Sequence, residues 1–303
     1  MNKGIILAGG LGSRLNPLTL YTSKHLLPVY DKPMIYYPIS TLMLGGIKEI
    51  AIISTSRDLN QYKTLLGDGS KFGIKFEYLV QDKPAGIADA FLVAEEFINN
   101  SPVSLILGDN VFHGNMRLSE IFGEFKEGAL IFGYPVANPK EFGVVEFDSS
   151  GKVIDIVEKP EMPKSKYAVP GLYLYDNRVV DLVKNMKPSS RGELEITDLN
   201  RIYLGEKELN VKILGRGISW IDAGNCDSLI EIGNYIRLVE KRQSFKIGCL
   251  EEVALRKNFI DIEEFNSLIL SMPNCNYKDY LSNISEEYQG SSFKVRDLNE
   301  SNG

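Results

Sequence analysis

Lys3-Gly4-Ile5-Ile6-Leu7-Ala8-Gly9-Gly10-Leu11-Gly12-Ser13-Arg14-Leu15 is the stretch that decides the fold. A short apolar run meets three glycines within four positions and then an arginine. Ile5 to Ala8 is apolar without alternation, as a strand covered on both faces would be. The glycines remove side chains, so successive backbone N–H groups can approach an anion closely. Arg14 adds a fixed charge with planar donors suited to phosphate oxygens. The segment is not a dinucleotide fingerprint, because GxGxxG from Gly10 requires glycine where Leu15 stands, and GxxxxGK[ST] is absent. By itself the loop reads equally as a phosphate cradle or a plain turn.

Working outward, Ile50 to Ser54, Phe76 to Val80, Val103 to Leu107 and Ala129 to Phe132 repeat the continuously apolar pattern. Between them, Ile87, Phe91, Ala94 and Ile98 step by four, three and four, which predicts a helix with one apolar face. Strand–helix alternation of this kind predicts a mostly parallel sheet wound with helices. From about residue 133 the texture changes. Gly143 to Asp148 and Lys152 to Glu158 flank Ser149-Ser150-Gly151 and predict a hairpin. Residues 167–175 read as a further strand, and 193–204 and 226–243 as helices. The chain beyond 245 reads as mostly helical, with a frayed polar tail over 293–303.

The 303 residues carry 34 basic and 40 acidic side chains, a net charge of -6 that argues against a nucleic-acid-binding surface. Local cations can still gather anionic substrates. Three widely spaced cysteines, with no CxxC, indicate neither a zinc site nor a disulfide framework. The first residues lack a signal-peptide pattern, and no apolar run approaches the roughly 20 residues of a membrane helix. The expectation is a cytoplasmic protein with no membrane association.

Beyond the glycine loop, Ser23-Lys24-His25-Leu26-Leu27-Pro28 sets a lysine about ten residues after Arg14, and Asp31-Lys32-Pro33-Met34 follows. Together these resemble the nucleoside-diphosphate-sugar pyrophosphorylase family, whose signature is that loop, a lysine before an apolar-apolar-proline step, and a Lys-Pro-Met turn. Tyr36-Tyr37-Pro38, Leu65-Leu66-Gly67-Asp68-Gly69, Arg191 to Asp198 and Glu251 to Arg256 are similar to its glucose-1-phosphate thymidylyltransferase branch. The likeness runs from about residue 3 to 290.

The resemblance implies a Rossmann-like three-layer α/β nucleotidyltransferase fold with a mostly parallel central sheet, a β-rich sugar-binding insertion and a C-terminal helical appendix. Residues 1–244 would form the nucleotidyltransferase domain, with a nucleotide-binding half to about 132 and a sugar-phosphate half over 133–244. A helical extension over 245–292 and the tail would follow. The implied reaction joins dTTP to glucose 1-phosphate, with Mg²⁺, and releases pyrophosphate. Its nucleophile is already an anion, so catalysis is mostly positioning and electrostatics.

By the same resemblance, Leu7, Gly9, Gly10, Gly12, Ser13, Arg14 and Lys24 would hold the triphosphate, and Gln81 and Gly86 the base. Asp109 and Asp222 would ligate the metal, which favours hard oxygen ligands. Gly143, Glu158, Lys159, Val169, Tyr173 and Arg191 would hold the sugar phosphate, with Lys159 joining Arg14, Lys24 and both aspartates in catalysis. His25, where the family usually has glutamine, reads as a hydrogen-bonding neighbour of Lys24, and His113 takes no role. Ala85, Phe142, Pro170, Ala223 and Asn225 depart from the family pattern. They leave UTP, or another hexose 1-phosphate, as the alternative substrate. A catalytically silent sugar-nucleotide sensor is the reading from another class, and the retained Arg14, Lys24, Asp109, Lys159 and Asp222 speak against it. A homotetramer, feedback-inhibited by a dTDP-deoxysugar at a second site, is also implied.

Overall fold

Ile5 and Ile6, adjacent in sequence, are fully buried in two different hydrophobic cores. Side chains of a strand alternate between faces, so a strand apolar at every position must lie between two covering layers. The computed structural model describes residues 1–10, 12–83 and 85–290, and it has this arrangement.

The chain begins with β1 (Lys3–Leu7) and a small hairpin of β2 (Pro28–Val29) and β3 (Lys32–Pro33). It then runs α1 (Tyr36–Leu44), β4 (Glu49–Ser54), α2 (Leu59–Leu66), β5 (Lys75–Val80), α3 (Asp89–Val93), α4 (Glu95–Ile98) and β6 (Val103–Leu107). Next come β7 (Asn110–His113), α5 (Leu118–Glu124), β8 (Ala129–Pro135), β9 (Gly143–Phe147), β10 (Val153–Glu158), β11 (Tyr167–Ala168) and β12 (Leu172–Tyr175). The chain continues through α6 (Val179–Lys184), α7 (Ile196–Gly205), β13 (Leu209–Ile213), β14 (Ser219–Asp222) and α8 (Cys226–Gln243). It ends on α9 (Leu250–Arg256), α10 (Ile262–Ser271) and α11 (Asn276–Gly290).

The main sheet has the order β10-β9-β11-β8-β12-β6-β1-β4-β5, with β13 alongside β8. β5, β4, β1 and β6 are parallel neighbours, and β13 is parallel to β8. β12 runs against β6 and β8 between them, and β11 runs against β8 on its other side. One face buries Phe91, Ile98, Val179 and Leu199 from α3, α4, α6 and α7. The other buries Ile39, Leu42, Tyr62 and Leu66 together with Leu250, Leu255, Phe265 and Leu281 of the last three helices. The C-terminal helices therefore share the core of the first half. A buried ion cluster ties them down: Lys32 pairs with Asp31 and with Glu240 at 3.1 Å, and Lys246 pairs with the same two carboxylates.

Three elements differ from the sequence expectation. The strand over 167–175 is broken into β11 and β12 at Pro170-Gly171. Proline offers no N–H to a ladder, and the Gly171 N–H donates instead to Asn110 Oδ1 at 2.9 Å. The break lets the chain pass from β9 to β6. The helix over 193–204 begins only at Ile196, because Leu194 pairs through its backbone with Ala85 and Ala88. The apolar face from Ile87 to Ile98 forms two short helices, since Ala94 (φ −99°, ψ 16°) leaves helical geometry. The hairpin over 143–158 and the helix over 226–243 lie where expected. The polar tail expected over 293–303 lies outside the described residues.

Candidate active site

A cleft of about 720 Å³ opens at the carboxyl ends of β1, β5 and β6, the edge at which open α/β sheets place ligands. Leu7, Gly9, Gly10 and Arg14 form one wall of it. The turn between them depends on Gly12, which has φ 61°. A Cβ there would also stand 2.9 Å from the Thr19 methyl, so a side chain is excluded twice over. The Thr19 hydroxyl donates to the Gly12 carbonyl at 2.9 Å and closes the loop. Gly12 and Ser13 shape the loop without lining the cleft.

Lys24 and Asp109 are ion-paired behind Gly10, 15% and 11% exposed at their side chains, rather than on the cleft wall. A Cβ on Gly10 would lie 3.8 Å from Lys24 Nζ, so the ammonium sits directly behind the loop. Burial alone would raise the Asp109 pKa, but the Lys24 charge together with the other neighbouring groups, the Lys24 and Asn110 hydrogen bonds among them, outweighs it and holds the carboxyl below its usual range. His25 is buried beside them. Burial, and after it the Lys24 charge, lower its pKa to about 3, so the ring is neutral. Its Nδ1 lies 3.0 Å from Ser23 Oγ. This is the environment of a hydrogen-bonding neighbour. His113 is elsewhere, 2.7 Å from the Tyr235 hydroxyl.

Asn110 positions Asp109, and the sequence reading missed it. Its Nδ2 donates to Asp109 Oδ1 at 3.0 Å, while its Oδ1 accepts from Gly171 N at 2.9 Å and Trp220 Nε1 at 2.6 Å. The Gly-Asp-Asn triplet at a strand end was the available signal, but partners 61 and 110 residues away are invisible in sequence. β14 pairs antiparallel with β7, placing Asp222 opposite Asn110. Asp222 thereby reaches the cleft beside Asp109. Its Oδ1 is buried with no hydrogen-bond partner among the described residues. Burial, and then the neighbouring Asp109 carboxylate, push its pKa up to about 6.

An orphaned carboxylate oxygen close to a second carboxylate, with Lys24, Arg14 and Lys159 around it, fits a hard divalent cation. No cluster of three or more His, Cys, Asp or Glu suited to a metal occurs among the described residues. The protein would contribute two carboxylates, leaving other positions to water and phosphate oxygens, the usual way Mg²⁺ is held. Ala223 lies fully buried among Val29, Met34 and Ile232, so a hydroxyl is not missed there.

Gln81 and Gly86 both line the cleft. Gln81 Nε2 donates to Asp89 Oδ2 at 2.7 Å, which fixes the amide. Gly86 has φ 103°, and a Cβ on it would stand 2.6 Å from the Leu194 nitrogen. Its smallness serves this backbone clasp as well as any ligand. The far wall carries Gly143, Glu158, Lys159, Val169, Tyr173 and Arg191. Thr197, also missed from sequence, donates to Glu158 Oε2 at 2.8 Å and orients that carboxylate. Phe142 packs edge-on against Trp220 at 5.1 Å. Arg191 is held by Glu195 through Nε at 3.2 Å and Nη2 at 2.9 Å. It is presented at the rim rather than turned fully inward.

The model of the nucleotidyl transferase family matches residues 3–237 of this chain. A glucose-1-phosphate thymidylyltransferase of Neisseria meningitidis is 51% identical over 92% of this chain and 98% of its own length. The enzyme of the same name from Mycolicibacterium smegmatis is 49% identical over 92% and 97%. A Bacillus anthracis structure solved under that name, in complex with a sucrose, is 45% identical with a TM-score of 0.73, over 78% of this chain and 96% of its own. A UDP-glucose pyrophosphorylase complexed with UDP-glucose superposes with a TM-score of 0.68 at 25% identity, over 78% and 99%.

Proposed function

This chain belongs to the nucleotidyl transferase family and, within it, to the glucose-1-phosphate thymidylyltransferases, and from its cleft we propose the course of its reaction. It transfers a thymidylyl group from dTTP to α-D-glucose 1-phosphate, giving dTDP-glucose and pyrophosphate. A phosphate oxygen of the sugar attacks the α-phosphorus as the bond to the leaving pyrophosphate breaks. That oxygen is already anionic, so the buried neutral His25 need take no proton. The observation that carries the reading is the orphaned Asp222 Oδ1 beside the Asp109–Lys24 pair, at the foot of the glycine loop.

Asp109 and Asp222 would hold Mg²⁺, and the ion would supply neutralisation of phosphate charge there. Gly9 and Gly10 let backbone N–H groups approach the triphosphate. Arg14, in the cleft, and Lys24, behind Gly10, stabilise charge on the departing pyrophosphate. Gln81 pairs with the pyrimidine edge. Glu158, oriented by Thr197, accepts from sugar hydroxyls. Lys159 and Arg191, which line the same wall, take the sugar phosphate.

The test is pyrophosphate release across dTTP, UTP and a panel of hexose 1-phosphates. Mg²⁺-dependent release with dTTP and glucose 1-phosphate supports the reading, and no release with any pair by folded protein overturns it. UTP remains the second substrate to measure. The two pyrimidines differ by one methyl, a difference binding sites resolve only about 10–200-fold. We further propose a cytoplasmic homotetramer, inhibited by a dTDP-deoxysugar. A smaller cleft between α1 and the C-terminal helices is lined by Tyr37, His113 and Lys257, with Lys246 and Arg256 already paired to carboxylates, and is where this reading would seat the inhibitor. Light scattering and an inhibition titration check both points.

A further inference from the structure

Asn225 opens α8 one residue beyond Gly224 and lines the cleft. A Cβ on Gly224 would stand 2.9 Å from Arg14 Nη2, so this turn abuts the guanidinium. Asn225 Oδ1 accepts the Ser228 backbone N–H at 2.9 Å and caps the helix. A backbone N–H can only donate, so that bond settles which end of the amide faces the helix. The other end, Nδ2 with two donors, has no partner among the described residues.

We propose that Asn225 is a binding residue for the nucleoside triphosphate, its Nδ2 donating to a phosphate oxygen that Arg14 also engages. The proposal rests on the triphosphate occupying the glycine-loop wall, as argued above. A neutral donor suits this position. Asp222 and Asp109 already make the floor of the site acidic, and an aspartate cap at 225 would add a third carboxylate facing the phosphates. Serine and aspartate both cap a helix about as well as asparagine, so the capping and ligand-binding roles can be separated by substitution.

The experiment is calorimetric titration of dTTP, and of thymidine as a phosphate-free control, into wild type, Asn225→Ser and Asn225→Asp. Melting temperatures are measured alongside. The expected result is unchanged melting with dTTP affinity down about tenfold in Asn225→Ser, the cost of one hydrogen bond to a charged group. Asn225→Asp should weaken dTTP further, about 100-fold, and thymidine binding should be the same in all three. Equal dTTP affinity in all three would reduce Asn225 to a cap and overturn the proposal. So would equal losses for dTTP and thymidine, which would mean a deformed site. Binding is read separately from turnover. Wild type that binds dTTP but releases no pyrophosphate would defeat the proposed reaction while the affinity ratios still decide the role of Asn225.

Discussion

His25 and Asp222 are both buried titratable groups pushed toward neutrality, with opposite consequences. The His25 pKa falls from 6.5 to about 3 on folding. Between those values the unfolded chain binds a proton that the native one does not, so stability falls as pH drops through this window. Relative to His25→Gln, wild type is expected to lose about 1.4 kcal/mol between pH 7.5 and 5.5, measured by urea unfolding at both pH values. A constant gap between the two proteins would show that folding leaves the His25 pKa unshifted. Asp222 is a carboxylate with a buried oxygen that no described group hydrogen-bonds, and nearby cations only partly offset its burial. Asp222→Asn should therefore keep or raise the melting temperature. It should lower turnover at least about 100-fold, since metal assistance supplies several kcal/mol. A stability loss with turnover retained would assign Asp222 a structural role instead. The Gly9–Arg14 loop and Asp109 were legible because the chemistry demands those residue types at a strand end. Asn110 and Thr197 were not, because what matters is their partners across the fold, and neutral amides and hydroxyls have no distinctive spacing.

At the scale of elements, the strands were the most legible part. A run apolar at every position has one comfortable environment, between two layers, and β1, β4 and β6 occupy it. Breaks in the elements were harder to see. The backbone clasp of Leu194 on Ala85 and Ala88 delays the start of α7, and nothing local to residues 193–195 announces it. The same clasp makes Gly86 indispensable. Gly86→Ala combines a strained φ with overlap on the Leu194 backbone. It is expected to cost about 2 kcal/mol or more, and to weaken nucleotide binding through movement of the Gln81–Ile87 segment. Chemical denaturation together with a dTTP titration checks it. Full stability would mean that the clasp yields at no cost. Pro170 broke the predicted strand for a reason visible in hindsight, its missing N–H. Its use, carrying the chain from the β-rich insertion into the central sheet, is a tertiary fact.

Across the whole molecule, the sheet divides its labour by direction. The parallel strands deliver the glycine loop and Gln81 to one edge, and the antiparallel β9–β10 hairpin brings Glu158 and Lys159 across from the far side. The texture change near residue 133 marked that division in the sequence. The texture change near 245 was less informative, since the helices beyond it complete a core begun at Ile6. A chain ending at residue 244 would expose the faces that Leu250, Leu255, Phe265 and Leu281 cover. It would also leave Asp31 and Glu240 without Lys246. The expectation is loss of cooperative thermal unfolding, read by circular dichroism. A truncated chain that melts as the full one does would show that the shared core is dispensable.

The central claim is that Asp109 and Asp222 jointly hold a divalent cation against the triphosphate at the glycine loop. Anomalous diffraction from a crystal soaked with Mn²⁺ and dTTP measures this most directly. The account predicts a manganese peak bridging both carboxylates and the nucleotide phosphates, absent from Asp222→Asn. A peak away from these two side chains, or phosphates seated far from Gly9 and Arg14, would contradict it.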